Sequence, residues 1–338
     1  MIAQRSEAPA SIRRVAAFFG QRALTNWALI PCILWFLSGL YLDGWAHNHG
    51  KVDNTFFTPW HAVFYSGYLL LAGTLGVIVL LTQLRGLTWQ SHLAPPLRSA
   101  IIAAPLFALA GVGDLWWHTT FGFETGIEPL LSPPHLVLAS SMFFMVGAAA
   151  RLDDGTHRGW HQLPSIISIA AAWGVVTFMW QFNHPYGIVW PETLRGGGPG
   201  IMTGIAGLVA NSALTAAVAI ILATRHMPHG ALTAVLVVNA LGIALMGDEY
   251  RFGWSALCTG ILSEGLWWWW RNIPSPARLR RLAFVVASMT SASYMAVIYA
   301  TTAILWPIHI WLGAIVLAGV AGWALTIIMP FTAQATEH

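Results

Sequence analysis

The stretch "LYLDGWAHNHGKVDNTFFTPWHAVFYSG", residues 40–67, decides how the chain folds. It joins two apolar runs, near 24–42 and 60–82, each close to the roughly 20 residues that cross a hydrocarbon core. The polar connection between them opens with D-x-W-x-H and closes with Thr-Pro. That closing pair predicts a helix start, because threonine caps a first turn and proline suits the first helical position. The stretch therefore reads as a helical hairpin with its polar loop on one side of a membrane.

Composition extends this reading to the whole chain. Of the 338 residues, 57% are hydrophobic and only 9% charged, with a mean hydropathy of +0.63, whereas soluble domains carry about 25% charged residues. Further apolar runs lie near 99–117, 134–150, 163–181, 201–223, 230–247, 252–270, 282–304 and 308–330. The expected fold is all-α, a polytopic membrane protein of about ten transmembrane helices forming a single transmembrane domain over 1–338. Of the sixteen Lys and Arg residues, only Lys51, Arg195 and Arg251 fall on the side opposite the amino terminus. Basic residues stay in the cytoplasm during insertion. The amino terminus is thus expected to be cytoplasmic, in a bacterial inner (plasma) membrane, with the loops near 43–59 and 118–133 facing the periplasm. The net charge of +3 then reports topology, and the expected partners are membrane lipids with no nucleic acid. The first apolar run has a basic flank but no small-residue cleavage site, so it is expected to be retained as a helix. Cys32 and Cys258 fall inside the apolar runs and read as small buried hydrophobes, and "LWWWWR", 266–271, reads as an interfacial belt.

The polar pattern occurs twice. "DLWWH", 114–118, and "SPPH", 132–135, align with the first copy as Asp43/Asp114, Trp45/Trp116, His47/His118, Thr58/Ser132, Pro59/Pro133, His61/His135, Val63/Val137 and Ser66/Ser140. Hairpin 1, 24–82, and hairpin 2, 99–150, are therefore expected to be parallel repeats related by an axis along the membrane normal. The segment 163–223 is open to reading as a degenerate third copy, with Trp180, Phe182 and His184 followed by "GPGI" at 198–201. Residues 230–330 add further helices.

Asp and His four residues apart share one face of a helix. His61 and His135, in the first turn of the following helix, meet the positive end of its dipole, which disfavours imidazolium and leaves a ring nitrogen able to coordinate. A carboxylate in the last turn of a helix is unfavourable by about 0.3–1 kcal/mol before desolvation, and a bound cation reverses that. Asp43, His47, His61, Asp114, His118 and His135 are thus the candidate metal ligands, with the two aspartates candidates to bridge a shared two-metal site. His49 and His184 are weaker candidates, and Glu124, Glu128, Asp248 and Glu249 are outer-face carboxylates available as ligands or supports. Glu264 is the one carboxylate well inside a run, open either to a polar network with Asn211 and Asn239 or to a protonated acid bonded to the backbone. Two histidines and a carboxylate suit Cu(II), Zn(II) or Fe(II).

In these residues the chain resembles the C subunit of copper membrane monooxygenases, the particulate methane and ammonia monooxygenases. Asp43, His47 and His61 follow that D-x-x-x-H and histidine pattern, and Asp114, His118 and His135 follow it with a longer gap. The resemblance implies a copper site able to bind oxygen near the outer face, a small apolar substrate arriving through the bilayer, and other membrane subunits as partners. Three function classes follow: an oxygen-activating oxidoreductase of monooxygenase type; a periplasm-facing protein that acquires, stores or transports copper or zinc; and a structural or assembly subunit of a membrane complex.

Overall fold

A computed structural model of the chain describes residues 22–52, 58–122, 126–153, 158–193, 197–225 and 227–328. Glu124, His157, Arg195 and His226, together with the basic residues before Arg22, lie outside the described residues. The described residues are helical and contain no strand. Ten longer helices coincide with the ten apolar runs: α1 Arg22–Asn48, α2 Pro59–Leu84, α3 Pro95–Phe121, α4 Pro133–Val146, α5 Leu163–Met179, α6 Gly197–Thr224, α7 Ala231–Gly247, α8 Phe252–Trp269, α9 Ser275–Thr301 and α10 Ile308–Ile328. Six of them, α1, α2, α3, α6, α9 and α10, are long and apolar enough to cross a membrane, whereas α4, α5 and α7 are shorter apolar helices. Length and apolarity alone thus qualify six of the ten expected spans. Side chains on the outer faces agree with a lipid surround: Leu69, Leu109 and Val112 are 66–68% exposed, on helices too apolar to present such faces to water.

The chain divides into two compact units, residues 1–179 and 180–338. In the first, α1 packs along α2, α3 along α4, and α5 against both α1 and α4. The α1–α2 contact is close because glycine occupies it from both sides. A Cβ on Gly39 would stand 2.7 Å from Phe64 Cα, and one on Gly67 would stand 2.6 Å from Phe36 Cα. Small residues of this kind let helix backbones approach in a membrane, where dispersion contacts replace the hydrophobic driving force. Phe36 fills the space beneath them, stacking on Phe64 at 5.2 Å and meeting Phe107 of α3 edge-on at 5.2 Å. This crossing places Asp43, one turn beyond Gly39, opposite His61, one turn before Phe64. Packing and site position are set by the same two glycines.

In the second unit, α7 packs on α8, α8 on α9, and α6 and α10 on α9. Glu264 has a structural use here. Its carboxylate accepts hydrogen bonds from Leu232 N at 2.9 Å and Thr233 Oγ1 at 2.7 Å, so α8 supplies the cap for α7's otherwise unsatisfied amino-terminal donors. The acid is engaged by a helix start. Cys32 is buried as expected, but Cys258 is exposed, lying on an outer face of α8. In the tryptophan run, Trp267 is buried beneath the Arg278 guanidinium, 3.6 Å from its ring, while Trp269 is exposed.

The loop ahead of α6 is tied down by an ion-pair node. Arg251 donates to Glu192 at 2.7 and 2.9 Å and to Glu249 at 2.8 Å, and Thr302 donates to Glu192. Burial alone would raise the Glu192 carboxyl, but the Arg251 and Thr302 hydrogen bonds and the Arg251 charge outweigh it and hold the carboxyl below its ordinary value. Because the folded value is depressed, the node's contribution is present above the unfolded glutamate value of about 4.3 and is lost as pH falls through the folded one. Melting temperatures of the detergent-solubilised protein and of Arg251→Met should therefore differ at pH 7 and converge below about pH 4. A constant difference down to pH 3 would show that the node does not act through Glu192 ionisation.

Candidate metal centre

The first triad is built by the α1–α2 crossing. Thr58 caps α2 as expected, its Oγ1 accepting from His61 N at 3.1 Å with Pro59 at the first helical position. This fixes His61 in the first turn. Asp43 Oδ2 then lies 3.4 Å from His61 Nε2 and 4.0 Å from His47 Nε2, and the two imidazole rings are 5.5 Å apart. The second triad repeats this with α3 and α4: Asp114 Oδ1 is 3.4 Å from both His118 Nε2 and His135 Nδ1, with the rings 5.9 Å apart. In each group one ligand atom from every residue falls within 4.8 Å of the others, close enough for the group to hold a metal ion.

The ligand atoms fall into two groups of three, each from one hairpin. The reason is local: an Asp and His on one helix reach the histidine that begins the next helix before they reach across to the other hairpin. The groups are nonetheless electrostatic neighbours. His47 is within electrostatic reach of His118, and His135 of His61, Asp43 and His47.

Two details depart from the sequence pattern. Ser132 stands at the cap position of α4 but makes no capping hydrogen bond; its Oγ instead pairs with His135 Nδ1 at 2.7 Å. An ion held through His135 Nδ1 would thus have to take that nitrogen from the serine. The helices also run past the aspartates. α3 continues to Phe121, which puts Asp114 two turns inside and beyond the reach of the dipole's last turn. Desolvation is the larger cost there, since Asp114 is 3% exposed and an ionised carboxylate out of water demands a compensating charge. Both aspartates pair with histidines. Asp43 Oδ1 is buried and accepts no hydrogen bond among the described residues. Buried carboxylate oxygen, flanking imidazoles and no basic side chain in either group fit a divalent transition metal as the compensating charge.

The weaker candidates lie elsewhere. His49 Nδ1 pairs with Trp45 O at 2.8 Å, and the ring stacks on Trp45 at 4.9 Å, so it turns back on its own helix. His184 is buried in the second unit, where its Nδ1 accepts from Tyr186 N at 3.1 Å; burial pushes its pKa down to about 3, which keeps it neutral. Glu249 pairs with Arg251, and Asp248 closes α7 in the left-handed conformation with φ 56°. Glu128 begins a short turn, Glu128–Leu131, and joins neither triad. The repeat alignment does not single out Tyr65, although it lies four residues after His61 on the same face and its ring is 6.3 Å from that of His61. No protein-family model, curated protein or solved structure matches the chain.

Proposed function

We propose that the chain is an integral membrane metalloprotein that binds a transition metal, copper first with zinc or iron as alternatives, through two D-x3-H…H triads at the periplasmic face. The observation that carries this is the gathering, in each of two hairpins, of a carboxylate and two imidazoles within 4.8 Å on helices otherwise apolar. An internal duplication of the hairpin, with all ten helices crossing the membrane, accounts for the matched residue types at matched positions. The His47 side chain is 46% exposed, so the first triad is reachable from solvent, as an exchangeable or catalytic site must be.

That openness serves two chemistries. One is oxygen activation toward a small apolar substrate, as the resemblance implies; the other is acquisition or storage of the metal at the outer face. Oxygen consumption by the copper-loaded protein with an added reductant supports the first, and reversible loading without it supports the second. Metal analysis of the purified protein tests the reading common to both: two ions per chain are expected, and none would defeat it.

Orientation is tested separately. In a background lacking Cys32 and Cys258, cysteines at Asn48 and Thr119 should react with an impermeant reagent from the periplasmic side and one at Thr88 should not. The opposite pattern would place the triads at the cytoplasmic face.

A further inference from the structure

Resting on the metal-binding reading, the geometry points to Tyr65 as a positioning residue shared by the two triads: its hydroxyl, carried on α2 of the first hairpin, is seated against Gly111 on α3 of the second, one turn from Asp114, and orients the carboxylates of both sites.

Gly111 is the notch that admits it. A Cβ at that position would lie 3.0 Å from the Tyr65 hydroxyl and 3.3 Å from its ring, so any larger residue would displace the phenol. Asp114 follows Gly111 by three residues, on the same helix face. At its other end the ring stands 6.3 Å from that of His61 and packs against Phe64 and Phe107 at 5.4 and 6.1 Å, which fixes its direction. The phenol is within electrostatic reach of both Asp43 and Asp114.

The repeat sharpens the point. By the alignment of the two hairpins, Tyr65 corresponds to Ala139 and Gly111 to Leu40. The tyrosine-and-glycine pairing is therefore present in one direction only, where hairpin 1 reaches onto hairpin 2. Packing alone is already supplied at this crossing by Phe64, Phe107 and Tyr68, the last of which donates its hydroxyl to Ala104 O at 2.9 Å. Groups that hydrogen-bond to ligands typically alter metal affinity 10–100-fold when removed.

The test uses the full chain purified in detergent, titrated with Cu(II) alone and followed by electron paramagnetic resonance. Two parent variants isolate the sites: Asp114→Asn/His118→Ala leaves the first triad and Asp43→Asn/His47→Ala leaves the second. Tyr65→Phe keeps the ring and its packing. It should weaken Cu(II) binding by about tenfold and shift the copper spectrum in both parents, without moving the melting temperature of the metal-free protein. Gly111→Ala, which displaces the hydroxyl, should act in the same direction. Tyr68→Phe, which removes a phenol hydroxyl one turn deeper, should change neither affinity nor spectrum. An unchanged isotherm and spectrum for Tyr65→Phe in either parent overturns the shared role, as does an equal effect of Tyr68→Phe. Absence of copper binding in both parents and in the wild type overturns the metal reading itself, a result distinct from the failure of Tyr65.

Discussion

His61→Ala should empty the first triad and leave the second occupied, halving the metal bound per chain, and His135→Ala should do the reverse. Each removes one of three ligands, and the loss at the affected site should exceed the 10–100-fold typical when only a supporting contact is lost. His229→Ala is the control, because that ring stacks on Trp268 at 3.9 Å and takes part in neither triad. Metal content by mass spectrometry after equilibrium dialysis distinguishes the variants. Equal occupancy in all three would remove the histidines from the ligand set.

Gly67→Ala is expected to be as damaging to the first triad without touching any ligand. The added methyl would meet the Phe36 backbone at 2.6 Å, and backbone cannot swing aside as a side chain can. Overpacking of this kind costs about 1–3 kcal/mol. Relief comes only by spreading α1 from α2, which carries Asp43 away from His61 and opens their 3.4 Å contact. The variant should melt earlier and bind one ion, in the second triad, whose helices do not use this crossing. A variant that melts with the wild type and binds two ions would show that the glycine approach does not position the site.

What was legible in the sequence follows from which signals are local. The helices announce themselves as apolar runs, and the two triads show because charged and imidazole side chains are rare in such runs and fall four apart on one face. The Thr58-Pro59 start is equally local and appears as expected. Its counterpart at Ser132 does not, because a hydroxyl at a helix start can pair with a nearby imidazole as readily as with the backbone, and composition cannot say which partner wins. Helix ends were less legible: α3 runs seven residues past Asp114, so the cost borne by that carboxylate is desolvation more than dipole. The reciprocal approach of Gly39 and Gly67, the Glu264 cap on α7 and the seat of Tyr65 against Gly111 are all contacts between helices. Nothing in the spacing of one helix specifies the residue it meets on another. For the same reason the six ligands could be chosen from the sequence, while their division into two neighbouring groups could not.

The central claim, that each hairpin holds its own transition metal between one aspartate and two histidines, is tested most directly by anomalous scattering from the crystallised protein loaded with zinc or copper. Two peaks per chain are predicted, one bounded by Asp43, His47 and His61 and the other by Asp114, His118 and His135, each at ligand distances of about 2.0–2.2 Å. Peaks confined to other histidines, or no peak within coordinating distance of either aspartate, would contradict it.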